Sequence, residues 1–212
     1  MINELLIISG RWALKAKELL QNFQFSGSGT RWSFYNANKT AIMNKGTTGT
    51  AASWEKVLNT AISRGVATGN YYFEFTIDNY IATDFTHVKF GVSSGSTNYL
   101  VLGNGSKTQG TNPYGGSSFQ AYMESTVQNY NFKKYGLGDV IGCSIENVDG
   151  NTQVRFYING VDAGYLGAVA FTLAGTPNLL PVASAFRYNA SQEIGVSIKQ
   201  LKYKPAGFEK WM

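Results

Sequence analysis

The side chains in this sequence that could do chemistry are few and scattered. His87 is the single histidine and Cys143 the single cysteine. One histidine supplies neither a His-rich metal site nor an acid–base pair, and no Ser, His and Asp fall in a nucleophile pattern. Alternation along its run puts His87 on the outward side of a strand, as a surface histidine. Two carboxylates, Glu74 and Asp78, share a strand face as the paired acids of a glycosidase would. Four residues apart on a strand they stand ~13 Å from each other, beyond the separation that either hydrolytic mechanism uses. Asp149-Gly150-Asn151 offers too few oxygens for a calcium loop, and a hairpin turn accounts for it. No catalytic residue, metal site or cofactor is expected, and no phosphate-cradling glycine motif precedes a helix.

A second kind of chemistry, recognition, has a better candidate. Between Gly95 and Lys134 the apolar alternation fails, and the segment is rich in Gly, Asn, Ser, Thr and Tyr. A connection of ~40 residues without core pattern is long for a compact domain, and long loops on rigid scaffolds are where binding concentrates. Tyrosine offers a flat apolar ring with a hydroxyl, and asparagine offers paired donors and acceptors, which suits the apolar faces and hydroxyls of a sugar. Asn98, Tyr99, Asn112, Tyr114, Tyr122 and Tyr130 are the expected ligand-binding residues. The plain alternative is that these tyrosines cap the sandwich.

The elements that would position such a segment read as strands. Ile141, Cys143 and Ile145 alternate with Gly142, Ser144 and Glu146, and Val154, Phe156 and Ile158 alternate with Arg155, Tyr157 and Asn159. A period of two gives each run one buried face. Asp149-Gly150 and Asn159-Gly160 supply the positive φ angles of tight hairpin turns. Upstream, Tyr71, Phe73, Phe75 and Ile77 point inward with Tyr72, Glu74 and Thr76 outward, then Phe90 and Val92 inward. Short strands are expected at Trp32–Phe34 and Ala41–Met43, and Trp54–Val66 reads as a helical turn or irregular edge. Later, Leu180, Val182, Ser184 and Phe186 alternate, as do Ile194, Val196 and Ile198. Leu201 and Tyr203 then change parity, which calls for a bulge or a strand end.

These runs carry a family resemblance. Gly138-Asp-Val-Ile-Gly142, an acidic-Gly turn and Val154-Arg-Phe-Tyr-Ile-Asn-Gly160 resemble the central block of SPRY domains. Gly69-Asn-Tyr-Tyr-Phe-Glu-Phe-Thr-Ile77 is similar to the family's early strand, and Leu179-Leu-Pro-Val-Ala-Ser184 to its late one, with Leu180 in place of the usual aromatic. The pieces come in family order over roughly residues 30 to 208. The resemblance implies an all-β fold, a two-sheet antiparallel β-sandwich of the concanavalin A-like jelly-roll class, and supports function far less.

Composition agrees with one such domain: 212 residues, 43% hydrophobic, 14% aromatic, 24 glycines and only four prolines. The expected division is an N-terminal extension over 1–25, the sandwich over 26–208 and a tail over 209–212. In the extension Trp12, Ala16, Leu19 and Phe23 follow helical spacing, forming a stripe that either lies on its own sandwich or anchors the protein to a neighbouring subunit. Cys143, on an apolar strand face, reads as a buried inert thiol. Leu5–Ile8 is too short and lacks the basic lead of a signal peptide, and nothing approaches the ~20 apolar residues of a membrane span. Residues 1–64 carry eight Lys and Arg against three Glu, and the rest of the chain ten of each sign. No basic run is dense enough for phosphate contacts, so nucleic acid is not an expected partner.

The chain therefore reads as a non-enzymatic sandwich for recognition or assembly. Its Gly-, Asn-, Thr- and Ser-rich character, without the coiled coil or zinc module of animal adaptors, resembles SPRY-type modules of bacteriophage structural proteins. That resemblance implies a virion component of tail, fibre, baseplate or capsid surface, assembled in the host cytoplasm. Its partners would be other virion proteins and host-surface glycan, with any oligomer arising through the assembly. A cellular peptide-binding adaptor is the alternative, and a carbohydrate-active enzyme the remaining one.

Overall fold

The structure, a computed structural model, describes residues 21, 24–26, 32–37, 39–43, 54–59, 65–81, 87–94, 99–104, 119–123, 126–133, 135–164, 170–186 and 193–211. Their strands are β1 (Phe25–Ser26), β2 (Trp32–Tyr35), β3 (Thr40–Met43), β4 (Trp54–Asn59), β5 (Tyr71–Ile81), β6 (His87–Ser93), β7 (Tyr99–Asn104), β8 (Phe119–Met123), β9 (Thr126–Phe132), β10 (Val140–Val148), β11 (Asn151–Ile158), β12 (Val161–Asp162), β13 (Ala170–Leu173), β14 (Leu180–Phe186), β15 (Glu193–Ser197) and β16 (Glu209–Lys210). Seven form one sheet in the order β1-β4-β14-β6-β7-β8-β9. The other sheet runs β12-β11-β10-β5-β15-β3-β2, with β13 beside β11 and β16 beside β5. Every pairing is antiparallel except that of β16, which lies parallel to β5. The two-sheet antiparallel sandwich expected from sequence is the fold.

The β10–β11 hairpin has the register its pattern dictates: Ile141 faces Ile158, Cys143 faces Phe156 and Ile145 faces Val154. All six are buried. On β5, Tyr71, Phe73, Phe75 and Ile77 join the same core. Their rings form a chain of contacts across the sandwich. Phe75 lies 5.5 Å from Phe90 of the opposite sheet and 5.8 Å from a stacked Phe25, and Phe73 lies 5.4 Å from Phe75. Offset and edge-on aromatic pairs add ~0.5–1.5 kcal/mol each beyond their buried area.

This packing separates the two faces of β11. Phe156 is 1% exposed and 6.0 Å from Phe171, whereas Tyr157 is half-buried and meets Tyr72 edge-on at 5.7 Å. Phe156→Ala is expected to cost about 3–5 kcal/mol, and Tyr157→Ala distinctly less, in chemical denaturation. Equal losses would place both faces of β11 in the core.

The structure departs from the sequence reading in four places. Tyr72 and Glu74, assigned to the outward side of β5, are 0% and 2% exposed, because the chain from 199 to 203 crosses that face. Trp54–Asn59 is neither helical nor irregular but a strand between β1 and β14. At β14 the core takes Ala183 and, just before the strand, Leu179, while Val182 is buried outside the core cluster; the inward parity is the odd one. The region from 95 to 134 holds β7, β8 and β9 rather than one long loop. Around the boundaries expected at 25/26 and 208/209, the described residues pack on the sandwich. Gln21 and Phe25 are 3% and 2% exposed, β16 joins the sheet at 209–210, and Trp211 is fully buried.

Two other expectations, the buried thiol and the parity change, hold. Cys143 is a buried free thiol, and burial pushes its pKa up. The parity change near Leu201 coincides with a strand end at Ser197, and the β5–β15 pairing shifts register between Gly195 and Val196. Among the described residues no helix is long and apolar enough to cross a membrane, and no three His, Cys, Asp or Glu cluster as metal ligands.

Candidate functional site

Two arrangements of polar side chains emerge, one buried and one at an end of the sandwich. The buried one centres on Glu74. Its Oε1 accepts from the Tyr72 hydroxyl at 3.0 Å and from the Tyr203 amide at 2.7 Å, and its Oε2 accepts from the Lys202 amide at 2.7 Å. The backbone of Glu74 lies between the β15 and β16 pairings of β5, and there the Gln21 carboxamide takes the place of a peptide unit. Its Oε1 accepts from Glu74 N at 2.9 Å, and its Nε2 donates to Glu74 O at 3.0 Å and to Lys199 O at 2.8 Å. Burial holds the Glu74 carboxyl above its ordinary pKa, the amide and hydroxyl donors opposing the shift. Burial and the Glu74 charge push the Tyr72 hydroxyl far up. Gly142, paired with Glu74 across the ladder, leaves room for the Tyr72 ring; a Cβ there would run into its hydroxyl. Asp78 pairs instead with Lys199. The two carboxylates considered as a hydrolytic pair therefore have separate structural duties: Glu74 fastens the chain at 202–203 to β5, and Asp78 holds Lys199.

The end site follows from strand directions. The chain leaves β3 at Met43, β5 at Ile81, β7 at Asn104 and β14 at Phe186, and re-enters at β4, β6, β8 and β15. The registers Ile81↔Glu193, Phe186↔His87, Trp54↔Phe186 and Asn104↔Phe119 put all these strand ends at one end of the sandwich. Four connections, 44–53, 82–86, 105–118 and 187–192, thus start and finish there, and they are dominated by Gly, Thr, Ser, Asn, Gln and Tyr.

Beside them lies a rim of two interlocked turns. Asp139 Oδ2 accepts from Gly136 N at 2.7 Å, and its Oδ1 accepts from Asn159 Nδ2 at 2.8 Å. Asn159 Oδ1 accepts from Val140 N at 3.0 Å. Lys133 N donates to Ala163 O at 2.8 Å and Lys133 Nζ to Asp162 O at 3.0 Å. Leu137 and Val161 stand out from this rim at 63% and 59% exposure. The sequence reading missed this pair. Gly136-Leu137-Gly138 and Asn159-Gly160-Val161, each an apolar residue on a turn, were the available signal.

The six expected ligand residues divide. Tyr99 opens β7 opposite Ser93, and Tyr122 in β8 pairs with Val101 and Val127. Those positions lie toward the far end of β7 from Asn104, whose span from Leu100 is about 13 Å by the usual rise of a strand. Tyr130 lies in β9, on the stretch running to Phe132, which faces Phe119 at the end where 105–118 enters β8. Tyr99, Tyr122 and Tyr130 are therefore strand residues, corrected from loop residues: their neighbours supply the sheet although their own segments lack a strong apolar pattern. Asn98, Asn112 and Tyr114 lie outside the described residues, as do the proposed anchor residues Trp12, Ala16, Leu19 and Phe23. Asn112 and Tyr114 belong by sequence to the 105–118 connection.

The two antiparallel sheets define a sandwich of the concanavalin A-like fold class. The SPRY domain family model matches residues 70–199, and the chain belongs to that family. Among solved structures, the SPRY domain of human HERC1 superposes with a TM-score of 0.52 at 14% identity, over 85% of this chain and 99% of that one. The carbohydrate recognition domain of Emp46p in its potassium-bound form gives 0.51 at 6% identity, over 84% and 88%. The catalytic domain of a GH131 β-glucanase from Podospora anserina gives 0.47 at 10%, over 90% and 87%. No curated protein matches the chain.

Proposed function

We propose that this SPRY module is a non-enzymatic recognition component of a bacteriophage particle, on the tail, fibre, baseplate or capsid surface, and that it binds host-surface glycan through the end bearing 44–53, 82–86, 105–118 and 187–192. The observation that carries the binding reading is the convergence of four polar connections on one end of a rigid sandwich. Their side chains suit hydroxyl-rich ligands, and Emp46p, of similar fold, is a carbohydrate recognition domain. The particle assignment rests on the resemblance to phage modules, with the Trp12, Ala16, Leu19 and Phe23 stripe of the extension over 1–25 as the part that docks on other virion proteins. A peptide is the second reading, favoured by the exposed Leu137 and Val161 on the same rim.

Replacing Tyr114 and Tyr130 together by Ala is expected to weaken glycan or host-cell binding by ~1–3 kcal/mol per contacting ring. The melting temperature should change little. Glycan-array and cell-binding measurements on both proteins decide it: a folded variant with unchanged binding moves the site off these rings, and a wild type that binds no glycan or cell removes the glycan reading. Purified particles test the location, since a virion component is present there at a stoichiometric copy number.

A further inference from the structure

The β11–β12 turn holds Asn159 followed by Gly160, at φ 52° and 80°. An Asn-Gly pair has its own reactivity. Glycine has no side chain to shield its amide nitrogen, so that nitrogen, once deprotonated, can attack the Asn Cγ. A bond forms between Gly N and Asn Cγ, the Cγ–Nδ2 bond breaks, and ammonia leaves carrying the proton. Water then opens the cyclic imide at either carbonyl, giving Asp or isoaspartate. No oxidant or reductant is involved.

The local geometry opposes the first step twice over. The carboxamide is held at both ends, Nδ2 donating to Asp139 Oδ1 at 2.8 Å and Oδ1 accepting from Val140 N at 3.0 Å. Asp139 is itself held by Gly136 N at 2.7 Å, and Asn159 N donates to Val140 O at 2.8 Å. Swinging Cγ toward Gly160 N breaks both carboxamide bonds, one of them charge-assisted. The other reactant is also confined, because the Tyr203 ring lies on Gly160: a Cβ there would be 2.7 Å from Tyr203 Cδ1. Tyr203 is in turn held by its amide on Glu74.

We propose that Asn159-Gly160 is a latent deamidation site, kept silent in the folded protein by the Asp139–Val140 clamp and by Tyr203. Its conversion is a one-way change at the recognition end. Aspartate at 159 sets a carboxylate where Asp139 now meets an amide donor, and like charges at that distance repel. Isoaspartate adds a methylene to the main chain of a two-residue turn and breaks the Ile158↔Val161 register.

The test uses the full chain at mildly alkaline pH, with peptide mapping by mass spectrometry over time. Asn104-Gly105, the same dipeptide elsewhere in the sequence, is the internal reference. In the native protein Asn159 should convert at least tenfold more slowly than in urea at the same pH. Asp139→Ala should raise the native rate at Asn159 about tenfold, the factor equivalent to ~1.4 kcal/mol, with Asn104 unchanged. Tyr203→Ala should also accelerate Asn159 selectively. The proposal is overturned by native conversion at Asn159 as fast as in urea, by no acceleration in either variant, or by acceleration of Asn159 and Asn104 in the same proportion.

Discussion

Trp211→Ala is expected to lower the stability of the sandwich by about 3–5 kcal/mol, the range for deleting a fully buried large aromatic. Two residues before the end of the sequence, the chain adds β16 to β5 and then turns the indole into the core. There it meets Tyr71 at 5.8 Å and Phe73 at 5.3 Å, both edge-on. Trp211 N donates to Tyr72 O at 2.9 Å, so the backbone is held at the same point. For a chain of this size the loss corresponds to a fall of roughly 6–20 °C in melting temperature. A variant that melts within a degree or two of the wild type would mean that Trp211 lies on the surface rather than in the core.

Glu74→Ala is the second large effect. It strands the amides of Lys202 and Tyr203 and the Tyr72 hydroxyl, three donors that now share one buried carboxylate. Each buried donor left without an acceptor costs ~1–3 kcal/mol, so a total of about 3 kcal/mol or more is expected. Hydrogen exchange should accelerate first in 199–211. Glu74→Gln separates charge from shape: it keeps one acceptor oxygen but turns an NH2 toward one of the donors. The sign of the pH effect follows from the direction of the shift. Because the folded pKa is raised above the ordinary 4.5, the folded state binds the proton more tightly than the unfolded chain does. This group's contribution is therefore largest below pH 4.5, declines as pH rises to the folded value, and is flat beyond it. In Glu74→Gln that decline should vanish from the stability profile. A profile parallel to wild type across the window would mean that the carboxyl is not perturbed.

How much of this was legible depended on whether neighbours or local pattern decide a residue's place. The β10–β11 hairpin, the inward side of β5 and Phe90/Val92 were legible because one buried face imposes alternation that no other arrangement satisfies. The outward side of β5 was not, since alternation marks Tyr72 and Glu74 as non-core without showing that a segment some 130 residues later covers them. Strands β7 to β9 were missed because their sequences mix Gly, Asn and Gln with apolar residues; Leu100 is in a strand through its pairing with Val92 and Met123. The six candidate ligand residues were chosen by type within a segment read as one long connection, and neither type nor the failed alternation tells one end of a sheet from the other. The rim of Leu137 and Val161 became visible only when the Asp139–Asn159 bond joined two turns distant in sequence.

The filling of the β5 edge by Gln21, β15 and β16 bears on how the protein is made. Strand β5 is complete by residue 81, but its neighbours on one side begin at 140 and on the other at 193 and 209. At ~5–20 residues per second, a ribosome needs roughly 6–22 s to travel from 81 to 193. Until residue 140 is made, roughly 3–12 s at that rate, Tyr71, Phe73, Phe75 and Ile77 have neither ladder neighbour to pair with, and the β15 side stays open until 193. This aromatic strand thus waits for neighbours on both of its edges, and aggregation of nascent chains should be seeded at 71–77, rising when translation is slowed after residue 81 and falling when a holding chaperone is supplied.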